Sequence, residues 1–280
     1  MTTRRSFLNA AALTPAAALA QSRPQLKGRL KQSATRSCFG RRKTIEQIAR
    51  EAAECGLRGL DLIPPSDWPV LKKYGLVPVI APSAGHSLVN GINDPANHAA
   101  AEAATRDMIR QAAAAGAPNV IVLSGNRRSL TREQGIENCV TFLNKLKAEA
   151  EDKGVTICLE LLNSKVDHPD YQCDHTAWGV EVIKRVASPR VKLLYDIYHM
   201  QIMEGDIIRT IRENIAHIGH FHTAGNPGRN EIDPQSQELN YRAIAQAIVE
   251  TGYTGYLGHE YSPKRDPLES LAEAVRICDV

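Results

Sequence analysis

The sequence predicts a single (β/α)8 barrel. Short apolar runs alternate with amphipathic helical stretches eight times over about 250 residues, the size such a barrel needs. The runs are rich in Val, Ile and Leu, as strands buried on both faces must be. Gly56, Gly116, Gly154 and Gly252 fall just past helix ends, where a left-handed cap is wanted. The rival, an open doubly wound sheet, would carry a Gly-rich phosphate turn after its first strand, and none is present.

Each element has its own reason. The first strand lies near residues 30–35, and the helix Thr44–Glu54 follows with Thr44 as its cap. Arg58–Leu62 (RGLDL) is the second strand, with only a short helix around Trp68–Tyr74 behind it. Val77–Ala81 and Val120–Ser124 are the third and fourth, separated by a helix over Ala96–Ala115. A helix over Thr131–Asp152 leads to the fifth strand, Val155–Glu160, and one over Thr176–Val186 leads to the sixth, Val191–Asp196. One helix, Gly205–Glu213, precedes the seventh strand, His217–His222. Helices over Tyr241–Glu250 and Pro267–Ile277 flank the eighth, Tyr256–Glu260.

The chain has 280 residues, 43% of them apolar, enough for one sizeable core and too many for global disorder. Lys plus Arg total 34 and Asp plus Glu 31, a balance that excludes a nucleic-acid-coating chain. Beyond the extreme N-terminus, no run reaches the roughly 18 uncharged apolar residues of a membrane span.

Residues 1–20 read as a leader outside the fold. Thr3-Arg4-Arg5-Ser6-Phe7-Leu8 resembles a twin-arginine export signal, an apolar stretch runs from Ala10, and Ala18-Leu19-Ala20 makes a small-x-small cleavage site. Cleavage would leave Gln21 as the N-terminus and take the formal charge from +3 to +1, in a periplasmic or secreted protein. Cys38, Cys55, Cys139, Cys158, Cys173 and Cys278 include no C-x-x-C pair, so no zinc ribbon is expected. No disulfide is expected either, because a domain of this size does not need one.

In a barrel, residues at the C-terminal strand tips converge on one pocket. Here Glu160, Asp196, His222 and Glu260 end four consecutive strands, 36, 26 and 38 residues apart. A lone acid at a strand end is usually a helix cap or a solvated charge; four ligand types in succession read as a site. Three carboxylates and one imidazole make a hard, mostly oxygen donor set, suited to one Mn²⁺ or Mg²⁺ ion, with Co²⁺ also acceptable. Such an ion would polarise a carbonyl while a carboxylate moves a proton. The result is an aldose–ketose isomerisation through an enediolate, or inversion of one centre, according to where the substrate sits.

The motifs around these residues carry a resemblance. They are Glu160-Leu161-Leu162-Asn163, Asp196-Ile197-Tyr198-His199-Met200-Gln201, His222-Thr223-Ala224-Gly225-Asn226-Pro227-Gly228-Arg229, Glu238-Leu239-Asn240-Tyr241 and Gly258-His259-Glu260-Tyr261. Together they resemble the hydroxypyruvate isomerase branch of the xylose-isomerase-like TIM barrels, with the D-tagatose 3-epimerases as cousins. The likeness is close over about residues 150–262 and holds only in pattern before them. It implies that the four strand-end ligands hold one divalent ion and that Glu160 and Glu260 are catalytic. It also implies that His199 contacts substrate oxygens and that Arg229 holds the substrate from the long loop after the seventh strand.

Several further residues are weighed by position. His220 shares the face of His222 by period two and is a candidate to support it, whereas His217 and His259 are expected to point away from the pocket. Trp68 is either a pocket wall or a helix cap. His86 and the Arg127-Arg128 pair are weaker pocket candidates.

The leading expectation is a metal-dependent isomerase of a small sugar or hydroxycarbonyl acid, with no nucleic-acid partner and no membrane contact once the leader is cleaved. A sugar epimerase or keto-sugar lyase with the same metal and glutamates is the alternative. A nuclease on the same barrel would need more zinc ligands and a basic groove. A non-catalytic sugar-binding barrel would not need the four ligands. Assembly into a homo-oligomer is left open.

Overall fold

The computed structural model describes residues 25–280; the expected leader and its cleavage site lie outside the described residues. Eight strands run in parallel: β1 (Lys31–Thr35), β2 (Gly59–Asp61), β3 (Val77–Ala81), β4 (Asn119–Val122), β5 (Thr156–Leu161), β6 (Val191–Asp196), β7 (Ile218–Thr223) and β8 (Tyr256–His259). They close in chain order, with β1 paired to both β2 and β8. Around them lie α1 (Ile45–Glu54), α2 (Trp68–Lys73), α3 (His98–Ala115), α4 (Arg132–Lys153), α5 (Thr176–Val186), α6 (Ile197–Met203), α7 (Ile207–Asn214), α8 (Tyr241–Glu250) and α9 (Pro267–Cys278).

Local sequence explains the helix limits. Thr44 and Thr131 each accept the N–H of a Gln three residues on, and that Gln bonds back to the threonine N–H, closing a capping box. Gly116 and Gly154 end α3 and α4 at φ 76° and 68°, a conformation an L side chain resists. In α4, Ile136, Cys139, Leu143, Leu146 and Ala150 form one buried stripe against the barrel. The six cysteines are free and buried, as expected. Among the described residues, no helix is long and apolar enough to cross a membrane.

The barrel matches the predicted architecture, with local differences at element ends and between β6 and β7. Two helices, not one, join β6 to β7, because Asp196 caps α6 directly at the strand end. The expected helix at Gly205–Glu213 therefore begins later, at Ile207, after Asp206 takes a left-handed turn. β7 starts at Ile218, since His217 closes a short 3-10 turn before it. β2 is only three residues long, and its register against β3 shifts between Leu60 and Asp61.

The interior departs from a purely aliphatic barrel filling. Asp61, His220 and His222 are buried and joined by hydrogen bonds inside it, while Gln32, which donates to the Val275 carbonyl of α9, and His259, which bonds Gln32, are buried on the helix side. Most buried polar groups are satisfied in this way, and an orphaned one calls for an explanation.

Candidate metal and active site

Parallel strands put all eight C-terminal tips at one end. Asp196 ends β6, Glu160 and His222 are next to last in β5 and β7, and Glu260 follows β8 by one residue. Backbone and side-chain bonds fix these tips. The Tyr171 hydroxyl donates to the Glu160 carbonyl and accepts from the Ser124 N–H, joining the ends of β4 and β5. The Glu260 N–H donates to the Thr223 carbonyl at 2.9 Å, joining β8 to β7.

One ligand atom from each of Glu160, Asp196, His222 and Glu260 lies within 4.8 Å of the others. His222 Nδ1 is 3.2 Å from Glu260 Oε2 and 3.7 Å from Glu160 Oε1. Neither His222 Nδ1 nor Asp196 Oδ2 has a hydrogen-bond partner, although both are fully buried. Orphaned buried acceptors turned toward a cluster of carboxylates fit a divalent cation, which would satisfy them together. The donor set of this chain can therefore hold a metal ion.

Electrostatics says the same. Burial pushes the Glu160 carboxyl up, and the neighbouring Glu260 charge adds to it, against the pull of His222. Burial likewise raises Asp196, partly offset by Arg229. Glu260 goes the other way: burial would raise it, but His222 and Arg229 together outweigh that and hold it down. Burial would lower His222, yet the Glu260 charge and the Asp61 hydrogen bond raise its pKa well above 6.5. The cluster calls for positive charge, and a proton on His222 supplies it in the metal-free protein.

Asp61 was not expected here. Its Oδ2 accepts from Nε2 of His220 at 2.8 Å and of His222 at 3.2 Å. The only sequence sign was an acid inside an otherwise apolar strand, RGLDL. His220 thus supports His222 as expected, through Asp61.

His199 sits in the first turn of α6 and is buried. Its Nδ1 accepts the Asn163 backbone N–H at 3.2 Å, so the neutral ring carries its proton on Nε2. That nitrogen has no partner and lies 3.7 Å from Asp196 Oδ2. Burial and the Arg229 charge hold His199 well below its ordinary pKa, hence neutral. Arg229 extends from the loop after β7 and bonds Glu260 Oε2 at 2.8 Å, with its guanidinium 5.7 Å from the Tyr198 ring centre. Glu231, two residues on, accepts the N–H groups of Lys264 and Arg265 and ties this loop to the one after β8.

A cavity of about 240 Å³ opens over the site. Glu160, Glu260, Arg229 and His168 form its polar side, and Leu62, Leu123 and Leu162 belong to its apolar wall. His168, which sequence reasoning missed, packs against His199 with ring centres 5.3 Å apart. Larger hollows, of about 320, 500, 510 and 740 Å³, lie elsewhere, and none is lined by Glu160, Asp196, His222 or Glu260.

The other candidates fall outside the cavity. Trp68 opens α2 and donates from its indole to the Ile63 carbonyl, and it lines a hollow away from the site instead of the cavity over Glu160 and Glu260. His86 bonds the Ala84 carbonyl. Arg127 and Arg128 pair with Asp170 and Asp94. His259 is held between Thr223 and Gln32, away from the carboxylates, as expected.

Comparison with known proteins agrees with this geometry. A family model described as xylose isomerase-like TIM barrel matches residues 49–278. The chain is 29% identical to the hydroxypyruvate isomerase of Escherichia coli, over 76% of this chain and 86% of that one. It is 35% identical to a 2-oxo-tetronate isomerase of Cupriavidus necator, over about half of each chain, 49% and 50%. A crystal structure described as an AP endonuclease, family 2, from Brucella melitensis superposes with a TM-score of 0.79 at 26% identity, covering 87% of this chain and 97% of that one. The chain belongs to the xylose isomerase-like TIM barrel family, as an isomerase.

Proposed function

We propose that this isomerase is metal-dependent and acts on a small α-hydroxycarbonyl acid, hydroxypyruvate or a close analogue, by proton transfer through an enediolate. The observation that carries this reading is the convergence of Glu160, Asp196, His222 and Glu260, with Asp196 Oδ2 and His222 Nδ1 left unpartnered. Those four residues would hold one ion, and three carboxylates with one imidazole suit Mn²⁺ or Mg²⁺, with Co²⁺ as a substitute. When bound, the ion supplies Lewis-acid polarisation of the substrate's carbonyl.

The chain's own groups do the rest. Glu160 and Glu260 both face the cavity, and their environments push their pKa values apart. A split pair suits one carboxylate that takes a carbon-bound proton and one that returns it to the neighbouring carbon. Neutral His199 presents an Nε2–H donor to a substrate oxygen. Arg229 offers a planar fork to the substrate carboxylate, exchanging its bond with Glu260. The apolar wall around Leu62, Leu123 and Leu162 keeps water from the reacting carbons. Both named relatives are, by name, isomerases of 2-oxo or hydroxycarbonyl acids, which supports an acid as the substrate here.

Export by the twin-arginine route, with cleavage after Ala20, is part of the proposal. β1 begins at Lys31, so that cut would remove no described element.

The test is a substrate panel on chelated protein, with and without Mn²⁺: hydroxypyruvate, free ketohexoses and 3-keto-glucosides. Turnover of a hydroxycarbonyl acid that vanishes on chelation and returns with Mn²⁺ is expected. Inversion of a ketohexose centre without turnover of any acid would move the site to the epimerase alternative. Full activity in protein that elemental analysis finds free of metal would reject the metal dependence.

A further inference from the structure

Asp61 reaches across the barrel. In the closed sheet β2 and β7 are separated by β1 and β8, yet the Asp61 carboxylate meets two side chains of β7. It is fully buried, as are His220 and His222. A neutral imidazole carries one N–H, and its other nitrogen is then a bare lone pair. His222 Nε2 is committed to Asp61, while its Nδ1 faces Glu160 and Glu260. His220 donates to the same Oδ2 and so fixes the carboxylate from a second side.

Space for this arrangement comes from β8. A Cβ on Gly258 would lie 2.1 Å from Asp61 Oδ2, 2.9 Å from His222 Cδ2 and 3.1 Å from His220 Nε2. No side chain fits there while the carboxylate keeps its place. Gly258 opens the Gly258-His259-Glu260 stretch, so the residue that admits Asp61 lies two positions before one of the four ligands.

We infer that Asp61 is a positioning residue of the metal centre: it keeps the His222 proton on Nε2, so that the Nδ1 lone pair points at the carboxylate cluster, and Gly258 makes room for it. Without Asp61 both tautomers are open to His222, and only one of them leaves Nδ1 bare. The inference rests on the metal reading of the Glu160, Asp196, His222 and Glu260 set.

Mn²⁺ binding by the full chain, measured by titration calorimetry, tests it. Asp61→Leu removes the acceptor at similar size and is expected to weaken Mn²⁺ binding about 10- to 100-fold, the usual effect of losing a partner of a ligating histidine. Asp61→Asn keeps a neutral oxygen acceptor and should fall between wild type and Asp61→Leu. Gly258→Ala leaves the carboxylate in the sequence but displaces it, and should weaken binding by a similar factor. Circular dichroism identifies folded variants; if Asp61→Leu does not fold, Asp61→Asn and Gly258→Ala decide the matter. The visible spectrum of bound Co²⁺ should also change in these variants, which loss of stability alone would not produce. Wild type that binds Mn²⁺ together with folded variants that bind it as tightly would overturn the inference and leave the metal reading standing. Wild type that binds no Mn²⁺ would overturn both.

Discussion

Asp196 divides its carboxylate between His199 and the ligand cluster. Oδ1 accepts the His199 backbone N–H at 3.2 Å and caps α6, while Oδ2 remains without a partner beside Glu260 and His222. The two readings of an acid at a strand end, helix cap and ligand, are thus open together to this one residue. Asp196→Asn should separate them. The amide still caps the helix, but it removes a charge that burial and Glu260 disfavour, so metal-free protein should melt no lower than wild type. Its melting temperature should rise little on adding Mn²⁺, unlike that of wild type. Asp196→Ala should lose the cap as well, at about 1 kcal/mol relative to Asp196→Asn. Thermal melts with and without Mn²⁺ check all three, and an undiminished Mn²⁺ effect in Asp196→Asn would remove Asp196 from the ligand set.

Metal uptake should depend on pH through His222. Its folded-state pKa lies well above 6.5, so in metal-free protein the imidazolium stabilises the fold fully at low pH. That contribution is lost as pH rises through the folded pKa. An ion that takes Nδ1 must displace the proton, so affinity should climb with pH by up to about tenfold per unit for one proton released. Mn²⁺ titrations between about pH 6 and about pH 8 check the slope, and a flat profile would mean that His222 is not a ligand.

Arg229 should act on substrate binding more than on the metal. It contacts Glu260 by one bond at 2.8 Å and is itself held by a loop that Glu231 anchors. Arg229→Ala should raise KM at least about tenfold, the scale of a charge-assisted hydrogen bond, with Mn²⁺ content unchanged. Steady-state kinetics with metal analysis distinguish this from an arginine that merely neutralises Glu260, whose loss would leave KM unchanged.

Leader cleavage near Ala20 should give exported protein that starts at Gln21 in intact-mass spectrometry. Soluble cytoplasmic protein that retains Met1 or Thr2 would reject export.

The fold and the convergence of Glu160, Asp196, His222 and Glu260 were legible because they lie in local patterns. β3 to β6 are short runs rich in Val, Ile and Leu, each tip is a single residue, and the order of the strands along the chain is their order around the barrel. Asp61 was not legible, because its partners lie 159 and 161 residues away and nothing in RGLDL marks a link across the barrel. The helix Ile197–Met203 was hidden by its own start, since the residue that caps it also ended a strand and drew notice as a ligand. Trp68, His86, Arg127 and Arg128 followed strands two to four as pocket residues would. Each instead found a partner within its own loop or a neighbouring one, a choice that only packing decides.

Proton transfer by Glu160 and Glu260 is the central claim, and turnover in heavy water tests it most directly. Glu160→Gln and Glu260→Gln should each lower kcat by at least about 100-fold, the scale for losing a general acid or base, with metal content measured beside the rate because both belong to the proposed ligand set. Wild type run in heavy water should yield product with deuterium at carbon, because a proton held on a carboxylate exchanges with solvent before it is returned. Product free of carbon-bound deuterium at full turnover would contradict the two-glutamate mechanism.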